Sequence, residues 1–166
     1  MTARTYGQWK PTRPRTLVVA CSDGRLQEAT DSFLEAELGL KEFDRLYVPG
    51  GGGALSASDR DVFRAQQLRG ECKYLVELHQ VKQIILLFHG PARDGPDEAV
   101  CADYRRKLPW ATPDVLSQGI ETRELGPSAD VFSLSLPVSG CPTMQRNLGG
   151  ALRAVSLLWG VTSFAR

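Results

Sequence analysis

The segment Cys21-Ser22-Asp23-Gly24-Arg25 puts a thiol, a carboxylate and a guanidinium within five positions, and His89 and Cys101 add an imidazole and a second thiol far along the chain. Zinc favours thiolate and imidazole ligands in tetrahedral geometry, and a catalytic zinc uses three protein ligands with a fourth position left for water. Cys21 and His89 supply two such ligands. The third is expected soon after His89, where Cys101 is the only cysteine and Asp94, Asp97 and Glu98 are alternative oxygen donors.

The remaining candidates carry less chemistry. Cys72 falls on the apolar stripe of an expected helix and reads as core. His79 ends that helix, where a cation suits the helix dipole, and is assigned no chemistry. Cys141 begins Cys141-Pro142-Thr143-Met144-Gln145-Arg146 between an expected strand and an expected helix. Cys-x4-Arg in that place weakly resembles a sulfurtransferase loop, with a thiolate lowered by the helix N-terminus. Pro142 removes one backbone donor from it, and a structural cysteine in a turn is the alternative.

Composition narrows the partners. Of 166 residues, 20 are Lys or Arg and 19 are Asp or Glu, a net charge of +1. That balance argues against a general binder of nucleic acid or of anionic membrane. A neutral small molecule suits it better than a polyanion. The length suits one domain with a sizeable core. No apolar run approaches the roughly 20 residues that span a bilayer. Met1–Arg15 lacks the apolar stretch of a secretory signal, so a cytoplasmic location is expected. The four scattered cysteines are too few for a disulfide framework. Residues 1–15 carry Arg4, Lys10, Arg13 and Arg15 with no acid, and read as an N-terminal arm to a single α/β domain over 16–166.

Short elements must position these groups. Thr16–Ala20, Arg45–Val48 and Gln83–Phe88 read as buried strands. Ser32-x-x-Glu35 has capping-box spacing and is expected to open a short helix through Phe33, Leu34 and Leu38, ended by Gly39. Ser58-x-x-Asp61 is expected to begin a longer helix on Val62, Ala65, Leu68, Cys72, Leu75 and Val76. Cys101–Lys107 reads as a polar helical segment, and Phe132 to Val138 alternates like a half-buried strand near an edge. Asn147 is expected to cap a last helix on Leu148, Ala151, Leu152, Val155 and Leu158.

Alternating strands and helices imply a mostly parallel sheet with helices on its faces. In a 2-1-3 strand order the first and third strands are neighbours whose outgoing connections diverge, and ligands bind in that crevice. Cys21 comes after the first strand and His89 after the third, so this order brings them to one edge of the sheet. The run Gly50–Gly53 matches neither G-x-x-x-x-G-K-[ST] nor G-x-G-x-x-G, whose third glycine would fall at Leu55 or Ser56. A close approach of backbone to the crevice is the simpler reading, with Gly50, Gly51, Gly52 and Gly90 lining a substrate pocket.

Cys21-x-Asp23-x-Arg25, the glycine segment Leu46–Leu55, the long helix and Ile84–Gly90 resemble, in that order, the β-class carbonic anhydrases. The resemblance covers roughly residues 16–107. It departs at one place: the family's His-x-x-Cys would put a cysteine at Ala92, whereas Cys101 comes after His89 with eleven residues between them. Cys101-Ala102-Asp103-Tyr104 resembles the stretch that begins at the family's second cysteine, so an insertion is the reading adopted. Loop-closure entropy rises only logarithmically with length and permits it.

The resemblance implies a β-carbonic-anhydrase-like fold with Cys21, His89 and Cys101 as ligands of Zn2+. It also implies Asp23 and Arg25 as a catalytic dyad and reversible hydration of CO2 to bicarbonate, in a homodimer or larger homo-oligomer. Alternatives are a hydrolase of COS or CS2 on the same scaffold, a catalytically silent zinc-binding paralogue, and the Cys141 sulfurtransferase.

Overall fold

The computed structural model describes residues 7–58, 60–91, 101–107, 113–120, 124–125 and 128–138. Four strands form one all-parallel sheet: β1 (Thr16–Cys21), β2 (Asp44–Val48), β3 (Gln83–Pro91) and β4 (Asp130–Val138), in the order β2-β1-β3-β4. The helices are α1 (Gln27–Ala36), α2 (Val62–His79), α3 (Ala102–Lys107) and α4 (Pro113–Gln118). This is the α/β class expected from the sequence; its order contains the 2-1-3 arrangement under which Cys21 and His89 would meet, with β4 added at the edge.

The β-branched and aliphatic runs of β1 and β3 are buried on both faces, as a central parallel strand must be. Leu17, Val19, Ile84, Leu86 and Phe88 pack with Leu68, Cys72 and Val76 of α2. Val18, Ala20, Ile85 and Leu87 face the other way, against Leu34 of α1. The period-2 alternation of the strands therefore builds two cores, one on each side of the sheet. The expectation that Cys72 belongs to the core holds, for it is fully buried.

Several boundaries differ from the sequence expectation, each for a local reason. The first helix begins at Gln27 rather than Ser32, because a 3-10 turn over Gly24–Leu26 leads directly into it. Asp23 caps that turn through the Arg25 N–H, and the Gln27 amide donates to the carbonyls of Cys21 and Asp23. Ser32 consequently lies inside α1. The second capping box does not form either. The Ser58 hydroxyl is buried without a hydrogen-bond partner among the described residues, and the Asp61 carboxylate serves Arg64 and Arg106 instead.

β3 runs on to Pro91 because β4 pairs with it over its whole length, so His89 lies inside a strand and not after it. Pro137 is tolerated in β4 because that strand has no further neighbour among the described residues. Residues 7–15 of the basic arm are tied to their own chain. Arg13 donates to the Leu78 carbonyl at 2.6 Å and Arg15 to that of Gln80 at 3.2 Å, satisfying the C-terminal end of α2. His79 at that end pairs with Asp44 at 2.6 Å. Cys141, the helix expected from Asn147, Asp94, Asp97 and Glu98 all lie outside the described residues.

Candidate metal centre

The ladder between β1 and β3 ends at the pair Val19–Leu86. Beyond it the glycine segment enters. Gly50 and Gly51 have φ of +90° and +51°, and residues Gly51–Leu55 form a 3-10 helix. A Cβ on Gly51 would lie 2.7 Å from the Cys21 nitrogen and 2.7 Å from the Leu87 carbonyl oxygen. Only a glycine backbone fits between the two strand ends. The next two glycines are held by rings: a Cβ on Gly52 would meet Phe88 at 3.0 Å, and one on Gly53 would meet Tyr104 at 2.4 Å. The run is thus a close-packed wedge at the edge where the strands part.

Cys21 is the last residue of β1, His89 lies in β3, and Cys101 immediately precedes α3. Strict pleat alternation puts Phe88, not His89, on the face of Cys21. Their ligand atoms converge nonetheless at this edge: one ligand atom from each of Cys21, His89 and Cys101 lies within 4.8 Å of the others. Tetrahedral zinc with bonds of about 2.0–2.3 Å sets such atoms roughly 3.5–3.8 Å apart. Cys21 and His89 are each 9% exposed, and Cys101 is 5% exposed.

Two observations fit a cation here. Both ring nitrogens of His89 are buried without a hydrogen-bond partner among the described residues. An unpaired buried polar group costs about 1–3 kcal/mol, and an ion is one of the standard reasons that such a group persists. The second is the state of the thiols. Cys21 is driven well below the ordinary thiol range, chiefly by the Cys101 thiol beside it, then by the His89 imidazole and the backbone amides of Asp23 and Gly50, against the opposing effect of burial. Cys101 is driven upward, first by Cys21 and then by burial. The pair thus favours one thiolate, the form that ligates metals. These three residues could hold a metal ion.

Asp23 and Arg25 stand beside this group as a forked ion pair. Arg25 Nη2 lies 2.6 Å from Asp23 Oδ2, and Nε lies 3.0 Å from Oδ1. The side-chain and backbone hydrogen bonds of Arg25 bring the Asp23 carboxyl down to about 2. The guanidinium is largely solvent-exposed, so the fork fixes geometry more than it stabilises the fold.

Three contributors escaped the sequence reading. Tyr104 is fully buried, accepts the His89 N–H at 3.3 Å and stacks obliquely on the imidazole at 6.0 Å between ring centroids. Asp103 is clamped by Arg64 at 3.3 Å and by Arg106 at 3.0 Å. Lys107 is buried although its helix is polar in sequence, and it donates to the carbonyls of Ser56 at 2.6 Å and Ala54 at 3.2 Å. Their only signal in the sequence is their place after Cys101, at positions +2, +3 and +6.

No family model matches the chain. It is similar to two curated proteins, both named only as uncharacterized. One, RC0076 of Rickettsia conorii, is 36% identical over 75 residues, which are 45% of this chain and 39% of the relative. The other, from Rickettsia bellii, is 35% identical over 75 residues, 45% of this chain and 44% of the relative. The chain therefore matches less than half the length of either relative.

Proposed function

We propose that the chain is a zinc enzyme of the β-class carbonic anhydrase type that hydrates CO2 reversibly to bicarbonate. The observation that carries this reading is the convergence of Cys21, His89 and Cys101 beside the Asp23–Arg25 fork, with both nitrogens of the buried imidazole lacking a hydrogen-bond partner among the described residues. Cys21, His89 and Cys101 would hold the ion. A zinc ion held there would lower the pKa of bound water from 15.7 toward about 7 and so supply a nucleophile at neutral pH.

The chain's own residues do the rest. Asp23, held below its ordinary range by Arg25 and so ionised at neutral pH, would accept a hydrogen bond from the attacking water and orient its lone pair toward carbon. Arg25 keeps that carboxylate charged and turned to its own fork, so that it would stay clear of a bound ion. Tyr104 takes up the backbone N–H of His89 and covers one side of the imidazole.

The test is metal content and CO2 hydration of the full chain, purified without chelators, beside Cys101→Ser. About one zinc per chain, stopped-flow hydration activity, and loss of both in Cys101→Ser are expected. Zinc at 100 times its dissociation constant should also stabilise the fold by about 2.7 kcal/mol. A chain that takes up no zinc, or that binds zinc and does not hydrate CO2, refutes the reading.

A further inference from the structure

The chain separates Cys101 from His89 by eleven residues, so β3 itself does not deliver the second thiol to the site. α3 must do so. It has six residues, and an isolated helix of that length does not persist in water. Its anchors are therefore what locate Cys101.

One anchor is apolar and two are charged. Tyr104 fills the space against Gly53, Phe88 and His89. Lys107 reaches the carbonyls of Ala54 and Ser56, at the far end of the glycine wedge. Asp103 acts at the near end. Its carboxylate takes Arg64 of α2 at 3.3 Å, and the same guanidinium donates through Nη2 to the Pro49 carbonyl at 2.6 Å. Asp103 also abuts the wedge directly, since a Cβ on Gly50 would lie 2.2 Å from Oδ2. Asp61 closes the cluster, pairing with Arg106 at 2.9 Å and Arg64 at 3.4 Å, and Lys107 Nζ lies 3.8 Å away. The side chains of Asp61 and Asp103 are each only 9% exposed.

Asp103 thereby touches both halves of the thiol pair at one remove. It is two residues from Cys101 and packs on Gly50, whose backbone amide faces the Cys21 thiol. We propose that Asp103, through Arg64 and Pro49–Gly50, is a positioning residue that sets the separation of Cys21 and Cys101 and so preorganises the metal centre. This rests on the metal-binding reading above but not on any particular reaction. Groups that hydrogen-bond to metal ligands typically change metal affinity by about 10–100-fold when altered, which sets the upper scale for a carboxylate acting through Arg64 and Gly50.

The test is Co2+ and Zn2+ binding by the full chain, measured by chelator competition, for wild type, Asp103→Asn and Asp31→Asn. The last removes the same charge from an exposed pair with Arg45. Asp103→Asn is expected to weaken both metals by about 10–100-fold and to diminish the thiolate-to-Co2+ charge-transfer band toward that of Cys101→Ser. Asp31→Asn should match wild type within twofold. Arg64→Lys keeps the charge and loses the fork that spans Asp103 and Pro49; it should weaken binding in the same direction and serves if Asp103→Asn does not fold. Wild type that takes up neither metal overturns both readings. Wild type that binds, with Asp103→Asn and Arg64→Lys within twofold of it, or with an unchanged charge-transfer band, overturns this inference alone.

Discussion

Replacing Gly51 with alanine probes the wedge on which the site depends. The new Cβ would stand 2.7 Å from the Cys21 nitrogen, 2.7 Å from the Leu87 oxygen and 3.0 Å from the Ala20 carbonyl carbon. All three are backbone atoms of central strands and cannot rotate away. At φ +51° a side chain adds about 1–2 kcal/mol of left-handed strain. Overpacking a rigid site adds about 1–3 kcal/mol. The sum predicts a loss of about 2–5 kcal/mol, or a fall in Tm of about 4–20 °C for a chain of this size. Gly70→Ala is the opposing case. Gly70 lies inside α2 with nothing within 4 Å of a built Cβ, so alanine there should stabilise by about 0.8–1.0 kcal/mol. Urea unfolding of the three proteins reads both signs. Gly51→Ala within 0.5 kcal/mol of wild type would show that the glycine segment does not hold the strand ends apart.

Two further outcomes concern the charges and thiols. Asp23 lies below its ordinary 3.8 because of Arg25, so its pairing is complete above about pH 4 and is lost as pH falls toward 2. Arg25→Ala should move the carboxyl midpoint up toward 3.8 in a carbon NMR titration, and a midpoint that stays near 2 contradicts the fork. Cys72 is pushed up to about 12 by burial, so the native chain has almost no thiolate there at pH 8. Iodoacetamide treatment read by mass spectrometry should leave Cys72 unmodified until denaturant is added; modification of native chain at the rate of a free thiol would contradict its placement in the core.

Much of the fold was legible because it is written in short-range periodicity. Thr16–Ala20 and Gln83–Phe88 are apolar without alternation, as strands covered on both faces must be, and α2 repeats Ala65, Leu68, Cys72 and Val76 toward one face. The helix starts were less legible. Ser32 and Ser58 have the right neighbours for capping, yet the 3-10 turn over Gly24–Leu26 leads into a helix from Gln27, and the Asp61 carboxylate is taken up by Arg64 and Arg106.

The sequence by itself determined which residue types are available for chemistry, thiols, imidazoles and a nearby carboxylate and guanidinium, with Cys21 and His89 expected just after the first and third strands of a parallel sheet. Among the described residues, no helix is long and apolar enough to cross a membrane, as the hydropathy of the chain already indicated. Only the tertiary structure decided that Cys101 meets Cys21 and His89 across eleven intervening residues, beside a glycine wedge, a buried tyrosine and a cluster of charges. The physical reason is one of range. Periodicity reports which face of an element is apolar, whereas the meeting of three ligand atoms depends on where a ladder ends, how closely two backbones approach and which distant guanidinium a carboxylate finds.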